Sequence, residues 1–231
     1  MNLSIIIPCK NEAENITACL QRVTDVCPGA EILVVGSAED DTKKIVNQLN
    51  RMNPSLSYID CIPDRGKGDA IRTGIQRASR SVILQMDADL QFFPEDIPSL
   101  IQPILENKAD MILGSRFLKL SDETVRVGSW IRSLGNICFS LYTTCLYGQK
   151  ISDALAGFKA WKREVTESFF LTSVTFTYEI ELFACALRKG WRVQDVPVRY
   201  TSRVMGESKV PLFKTGLRIL KDALYFRFRK L

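Results

Sequence analysis

Met86-Asp87-Ala88-Asp89-Leu90-Gln91 follows directly on the strand-like run Val82-Ile83-Leu84-Gln85. On an extended segment, side chains two apart point to the same side, so Asp87 and Asp89 present paired carboxylates with the Gln91 carbonyl beyond them. Hard oxygen donors of this kind suit Mg²⁺ or Mn²⁺, and an ion held by so few protein groups needs phosphate oxygens to fill its shell. The same spacing also fits two aspartates that merely cap a turn before Pro94. In Asp64-Arg65-Gly66-Lys67-Gly68-Asp69-Ala70, two glycines bracket a lysine, which permits close backbone approach to a diphosphate with the ammonium as a point charge. The spacing is neither that of a Walker A loop nor that of a dinucleotide-binding fingerprint, and a solvated loop with a helix-packing glycine fits equally well. Arg203-Val204-Met205-Gly206-Glu207-Ser208-Lys209 sets two cations and a hydroxyl around a glycine, which is an anion clamp or an ordinary basic loop.

The elements that must position these groups alternate. Leu3–Ile7, Glu31–Val35, Leu56–Ile59, Val82–Met86 and Met111–Leu113 are apolar runs of strand length separated by amphipathic, helix-length segments. Unbroken apolar strands are buried on both faces, and strand-helix-strand order predicts a mostly parallel sheet. Asn11-Glu12, Asp40-Asp41-Thr42 and Pro94-Glu95-Asp96 are expected to open the first, second and fourth helices. Beyond Gly114 come a polar loop from Lys119 to Arg126, a helix from about Gly128 to Tyr147 and a turn around Asp153–Phe158. A helix from Tyr178 to Lys189, a strand over Trp191–Val196 and a basic tail follow. Ligands of such sheets sit outside the C-terminal strand ends, which points to 8–12, 36–41, 63–67 and 87–91.

The 231 residues are 46% hydrophobic and 25% charged, which excludes collagen-like and disordered chains and leaves one large domain as the default. The net charge is +5, yet residues 203–231 alone carry +6 and residues 1–202 carry −1. That asymmetry points to an anionic partner at the tail rather than to a protein coating nucleic acid. Seven cysteines without C-x-x-C spacing suggest neither a disulfide framework nor a zinc site and fit a reduced, cytoplasmic compartment. The opening residues read as a strand rather than a signal peptide, and the stretch Ile137–Tyr147 is about half the ~20 residues of a membrane span.

Taken together, Pro8-Cys9-Lys10-Asn11-Glu12, Gly66-Lys67-Gly68, Asp87-Ala88-Asp89-Leu90-Gln91, Gly114-Ser115-Arg116-Phe117, Asp153-Ala154-Leu155-Ala156-Gly157-Phe158 and Arg203–Lys209 stand in an order that resembles the polyprenyl-phosphate branch of the family 2 glycosyltransferases, which move mannose or glucose to dolichyl phosphate. The resemblance implies a GT-A, Rossmann-like α/β fold over 1–202, a nucleotide-sugar donor, a divalent metal (Mg²⁺ or Mn²⁺) and a lipid-phosphate acceptor. It assigns Pro8, Lys10, Glu12, Asp40, Lys67, Asp87 and Ala88 to the nucleotide sugar, and Asp87, Asp89 and Gln91 to the metal. Asp89, Arg116, Asp153 and Arg203 fall to catalysis, and Ser133, Arg203 and Lys209 to the acceptor phosphate. The segment Val35–Thr42 lacks the family's first acidic pair, so GDP-mannose and UDP-glucose both stay open as donors.

No histidine is present, and none is needed: a phosphate monoester with a second pKa of ~6 is already mostly dianionic at neutral pH and can attack the sugar C1 itself. A single displacement with inversion is expected. In the tail, Phe213, Leu217, Leu220, Leu224, Phe228 and Leu231 recur at helical spacing, flanked by Lys214, Arg218 and Lys221. That pattern predicts an amphipathic helix lying on an anionic membrane, on the cytoplasmic face, or packed against the catalytic domain or a small membrane anchor protein. The rival readings are a glycosyltransferase with a soluble or glycan acceptor, a sugar-phosphate nucleotidyltransferase, and a non-catalytic module that binds nucleotide sugars at a membrane surface.

Overall fold

The first strand shows why the apolar runs are unbroken. In the computed structural model, which describes residues 1–118, 130–201 and 212–230 (130–133 and 212–217 by their backbone alone), β1 (Leu3–Cys9) is buried along its whole length. Leu3, Ile5 and Ile7 join one core cluster, and Ile6 joins another on the opposite face. A strand covered on both sides has no solvent face and therefore no polar alternation.

The chain continues through α1 (Ile16–Val26), β2 (Glu31–Gly36), α2 (Thr42–Asn50), β3 (Leu56–Asp60), α3 (Lys67–Arg77) and β4 (Val82–Gln85). A single 3-10 turn at Pro94–Asp96 leads into α4 (Ile97–Leu105) and β5 (Met111–Ser115). Then come α5 (Trp130–Tyr147), β6 (Lys159–Lys162), α6 (Arg163–Glu167), α7 (Tyr178–Arg188), β7 (Val193–Pro197) and α8 (Leu212–Phe228). The sheet runs β3-β2-β1-β4-β6-β5-β7, and every pairing is parallel except those of β6 with β4 and β5. Ile16, Leu20, Val46, Leu100 and Ile104 cover one face; Ile71, Phe139, Phe183 and Phe226 cover the other.

Two elements differ from the sequence reading. Asn11 has φ 57°, in the left-handed region, so the first helix starts at Ile16 instead of Asn11-Glu12; the Glu12 carbonyl accepts the Asn15 and Ile16 amides as the chain turns in. The antiparallel strand β6 was not foreseen. Its four residues, Lys-Ala-Trp-Lys, have lysine at both ends and read as polar, yet Lys159 is wholly buried.

Helix α8 packs through Ala223 and Phe226, both buried, against α7 and α5. Tyr147 and Tyr142 donate hydroxyl bonds to the Ala223 and Leu220 carbonyls at 2.7 and 3.4 Å. Leu220, Leu224 and Phe228 of the expected stripe stay exposed, as do Leu134, Ile137 and Leu141 on α5. The packed face is thus one residue off the stripe. Phe213 and Leu217 of that stripe fall on α8 with their side chains outside the described residues, and Leu231 and the loop Lys119–Arg126 lie outside them altogether. No described helix is long and apolar enough to cross a membrane.

Of the seven cysteines, Cys138 and Cys145 are exposed and the rest are buried. Burial pushes the Cys9 and Cys19 thiols up to about 12 and those of Cys27 and Cys185 up to about 11. Because the thiolate is the reactive form, a maleimide at pH 8 is expected to modify Cys138 and Cys145 first in the native protein, as read by peptide mass spectrometry. Rapid labelling of Cys19 would contradict this packing.

Candidate active site

The crevice lies where the strand order reverses. From β1 the chain moves outward through β2 and β3, then returns to place β4 on the other side of β1. Such a switch point opens a cleft at the C-terminal strand ends. Pairing of β1 with β4 stops at Ile6 and Gln85, apart from the Met86 amide on the Ile6 carbonyl. Pro8 sits beyond it, where no β4 partner awaits its missing N–H.

Asp87 and Asp89 leave β4 at this mouth. Asp89 is buried and one of its oxygens accepts the Gln91 amide at 3.2 Å, while the Gln91 side-chain amide donates to the Thr201 carbonyl at 3.3 Å. Thr201 in turn donates its amide to the Gln91 carbonyl, and Phe92 bridges to Tyr200, so residues 200–201 are stitched to the carboxylate motif. Asp87 is held by Lys67, whose Nζ lies 2.7 Å from Oδ1 and 3.1 Å from Oε1 of Glu179. Glu179 reaches the fully buried Lys159 through its other oxygen at 3.3 Å, and the Tyr178 hydroxyl donates to Glu179 while accepting from Gln85. Two ammoniums and two carboxylates thus form a neutral chain that runs from the buried Lys159 and Glu179 to the partly exposed Asp87.

The proton affinities follow from that arrangement. Burial alone would lower Lys67, but Asp87, Tyr178 and Glu179 hold it well above the ordinary lysine value. Burial, aided by Asp89 and Glu179, raises Asp87 despite Lys67. Burial likewise lowers Lys159, whose carboxylate partner is Glu179. For Glu179, burial is outweighed by the two lysines, which hold it below the usual range.

Arg116 follows β5 and grips the buried Asp153 as a fork, Nε to Oδ2 at 2.6 Å and Nη2 to Oδ1 at 2.8 Å, with the Arg116 amide donating to the same carboxylate. Its guanidinium lies over the rings of Tyr200, Phe117 and Phe92 at 5.1, 5.7 and 6.0 Å. Asp153 therefore orients Arg116, and its own oxygens are occupied in doing so.

At the other rim, Glu12 donates its amide to Thr42, and Asp40 accepts from Thr42 and the Ala13 amide, tying the end of β1 to the start of α2. Lys10 pairs with Asp64 in solvent. Ala88 is buried in the core cluster that contains α1 and α4. Pro8, Lys10, Glu12, Asp40, Lys67, Asp87, Ala88, Asp89, Gln91, Arg116 and Asp153 thus all lie on strand ends, loops or helix starts along this edge of the sheet. Ser133 falls on α5 with its side chain outside the described residues, and Arg203 and Lys209 also lie outside them.

The glycine loop corrects one expectation. Gly66 has φ +114°, and a Cβ at Gly66 or Gly68 would stand 2.8 or 2.4 Å from the Val174 or Ser173 carbonyl oxygen. The Gly68 amide already donates to Val174. The close approach these glycines permit is made by the protein's own backbone at 173–175, not by an open phosphate cradle.

Glu179, Lys159, Tyr178 and Gln85 escaped the sequence reading. The available signal was Tyr178-Glu179-Ile180-Glu181-Leu182-Phe183, two carboxylates inside an otherwise apolar helical run. Gly157 closes this cluster: an added Cβ would meet Asp87 Oδ2 at 2.5 Å and Lys67 Nζ at 3.2 Å. Gly157→Ala is expected to cost about 1–3 kcal/mol in urea unfolding, as overpacking does, and a neutral effect would mean the Lys67–Asp87 pair gives way freely.

The sheet is mostly parallel, with Asp87 and Asp89 leaving β4 at its switch point and Arg116 held in place by Asp153. The glycosyl transferase family 2 model matches residues 4–170, and the chain belongs to that family. It is 32% identical over 214 residues to a polyprenol monophosphomannose synthase of Mycolicibacterium smegmatis (89% of this chain, 80% of that one). It is 28% identical over 220 residues to an undecaprenyl-phosphate mannosyltransferase of Micrococcus luteus (91% and 88%). Among solved structures, glucosyl-3-phosphoglycerate synthase of Mycobacterium tuberculosis, in complex with Mn²⁺, UDP and phosphoglyceric acid, superposes with a TM-score of 0.73 at 18% identity, over 99% of this chain and 79% of that one. The fold is that of the GT-A glycosyltransferases, and the protein is a glycosyltransferase.

Proposed function

We propose that the protein transfers a hexose, mannose in the first place and glucose in the second, from a nucleotide diphosphate sugar to a polyprenyl or dolichyl phosphate at a membrane surface. The observation that carries this reading is the position of Asp87 and Asp89 at the β1/β4 crevice, with Arg116 fixed by Asp153 over the ring of Phe92 just past that motif. The names of the two mannosyl-transferring relatives support the lipid acceptor.

The residues present fit a divalent ion. Asp89, Asp87 and the Gln91 carbonyl are hard oxygens, and among the described residues no group of three or more His, Cys, Asp or Glu could hold a metal ion. That is the donor set expected where phosphates complete the shell of Mg²⁺ or Mn²⁺. Bound there, the ion would neutralise charge on the departing diphosphate. Arg116, held rigid by Asp153, adds a fixed positive charge to the same edge. The acceptor phosphate oxygen forms a bond to C1 as the C1–oxygen bond to the nucleoside diphosphate breaks, with inversion. By the family resemblance, Arg203, Lys209 and Ser133 are assigned to the acceptor phosphate.

The lipid side fits the outer faces of α5 and α8. Leu134, Ile137, Leu141, Leu220, Leu224 and Phe228 are exposed, and the tail supplies the excess of positive charge. An apolar surface bordered by lysine and arginine suits an anionic bilayer, consistent with a peripheral place on the cytoplasmic leaflet. Leu224→Asp is expected to lower liposome binding by about tenfold, the scale of one lost buried leucine, in a flotation assay. Equal binding would move the lipid contact elsewhere.

The deciding experiment offers labelled GDP-mannose, UDP-glucose and UDP-N-acetylglucosamine with a short polyprenyl phosphate in liposomes, with and without Mg²⁺ or Mn²⁺. Metal-dependent label in the organic phase from one donor supports the reading and names the sugar. Label appearing only in water-soluble products points instead to a soluble acceptor.

A further inference from the structure

We infer that Arg229, in the basic tail, is a positioning residue for the donor side of the active site, acting through Glu181 and residues 170–175 on the Gly66-Lys67-Gly68 loop. The contacts form an unbroken chain. Arg229 Nη1 lies 2.6 Å from Oε1 of Glu181, a carboxylate on α7 with no solvent exposure. The same guanidinium donates to Thr172 Oγ1 at 2.7 Å and to the Phe170 carbonyl at 3.2 Å. Glu181 then accepts the Thr172 and Ser173 amides at 2.8 and 2.7 Å and the Thr172 hydroxyl at 2.8 Å. One residue on, the Val174 carbonyl accepts the Gly68 and Asp69 amides at 3.0 and 3.3 Å. Gly68 follows Lys67, the first residue of α3, whose ammonium holds Asp87.

The latch is reciprocal. Arg188 of α7 donates to the Phe226 and Arg229 carbonyls, both at 2.7 Å, and so fixes the C-terminal turn of α8 in the position from which Arg229 reaches Glu181. The helix that leaves Leu220, Leu224 and Phe228 exposed is therefore wired to the loop that sets Lys67 against Asp87. A bare membrane anchor would need no cation on a wholly buried carboxylate, since an unpaired buried charge is costly.

The test uses the full chain and the variants Arg229→Gln, Arg229→Lys and, as a control on tail charge alone, Lys230→Gln. Amide hydrogen exchange is followed at Gly68 and Asp69 against β1, and binding of UDP and GDP is measured by calorimetry with Mn²⁺ in the absence of lipid. Arg229→Gln is expected to speed exchange at Gly68 and Asp69, and to weaken the bound nucleotide, each by about threefold to thirtyfold, the range of couplings carried through packed networks, with β1 unchanged. In turnover the donor KM should rise while kcat at saturating donor stays nearly constant. Arg229→Lys, which keeps the charge, should recover part of the loss, and Lys230→Gln should match the wild type. Unchanged exchange at both amides together with unchanged nucleotide binding overturns the inference. Should Arg229→Gln fail to fold, the exchange and affinity of Arg229→Lys decide. The nucleotide readout rests on the donor reading proposed above; if the wild type binds neither nucleotide, that reading fails, and the exchange rates still decide the coupling.

Discussion

Asp89→Asn is expected to lower transfer on the order of a thousandfold, the scale of losing one preorganised charge-stabilising group, while leaving the fold intact. The asparagine oxygen can still accept the Gln91 amide that Asp89 now binds, so the turn after β4 keeps its bond. The side chain is buried and the replacement has the same shape, so no cavity opens. What disappears is a negative charge at the crevice, which a divalent ion bound there would need before it could offset the charge of the diphosphate. Initial rates of label extracted into organic solvent, compared at equal thermal melting temperature, check this. Transfer within about threefold of wild type, against that thousandfold scale, would take Asp89 out of the chemistry.

The second large effect concerns stability. Glu179→Gln is expected to cost about 3–5 kcal/mol at pH 7, because Lys159, without solvent contact, loses its carboxylate partner and Lys67 is left with Asp87 alone. The double variant Glu179→Gln with Lys159→Met should recover most of that loss, since replacing both members of a buried pair is often near neutral. The single variant carries a pH signature of definite sign. Burial already lowers the Lys159 pKa in the folded protein. Between the lowered folded value and the unfolded one, the unfolded chain binds more protons, so stability rises with pH. The deficit of Glu179→Gln should therefore shrink as pH rises from 7 toward the ordinary lysine value. Urea unfolding at several pH values measures it, and a double variant as unstable as the single would show that the lysine is not what Glu179 compensates.

Much of the fold was legible in the residue order. The apolar runs at 3–7, 31–35 and 82–86 became β1, β2 and β4 because a strand covered on both faces tolerates no polar alternation. The carboxylate motif was legible for a similar reason, since it follows the end of a buried strand, where parallel sheets place their ligands. The antiparallel β6 was not legible, because its lysines look solvated until Glu179, twenty residues further on, is folded against Lys159. Nor was the use of Asp153, which only the long-range pairing with Arg116 reveals.

The tail marks the same division. Its charge and helical period could be read directly, because both are local properties of the chain. Which face of α8 packs and which stays exposed depended on the surfaces that α5 and α7 present, and the structure buried Ala223 and Phe226 while leaving Leu220 and Leu224 outside. By itself the sequence determined the parallel α/β order, the paired carboxylates at the end of β4 and the basic amphipathic tail, all set by neighbours within a few residues. Only the tertiary structure decided that Lys67 is bound to Asp87 and Glu179, that Asp153 holds Arg116, and that the glycine loop is closed by residues 173–175. Those are meetings between groups far apart along the chain, and burial makes each charge depend on a partner that no local pattern announces.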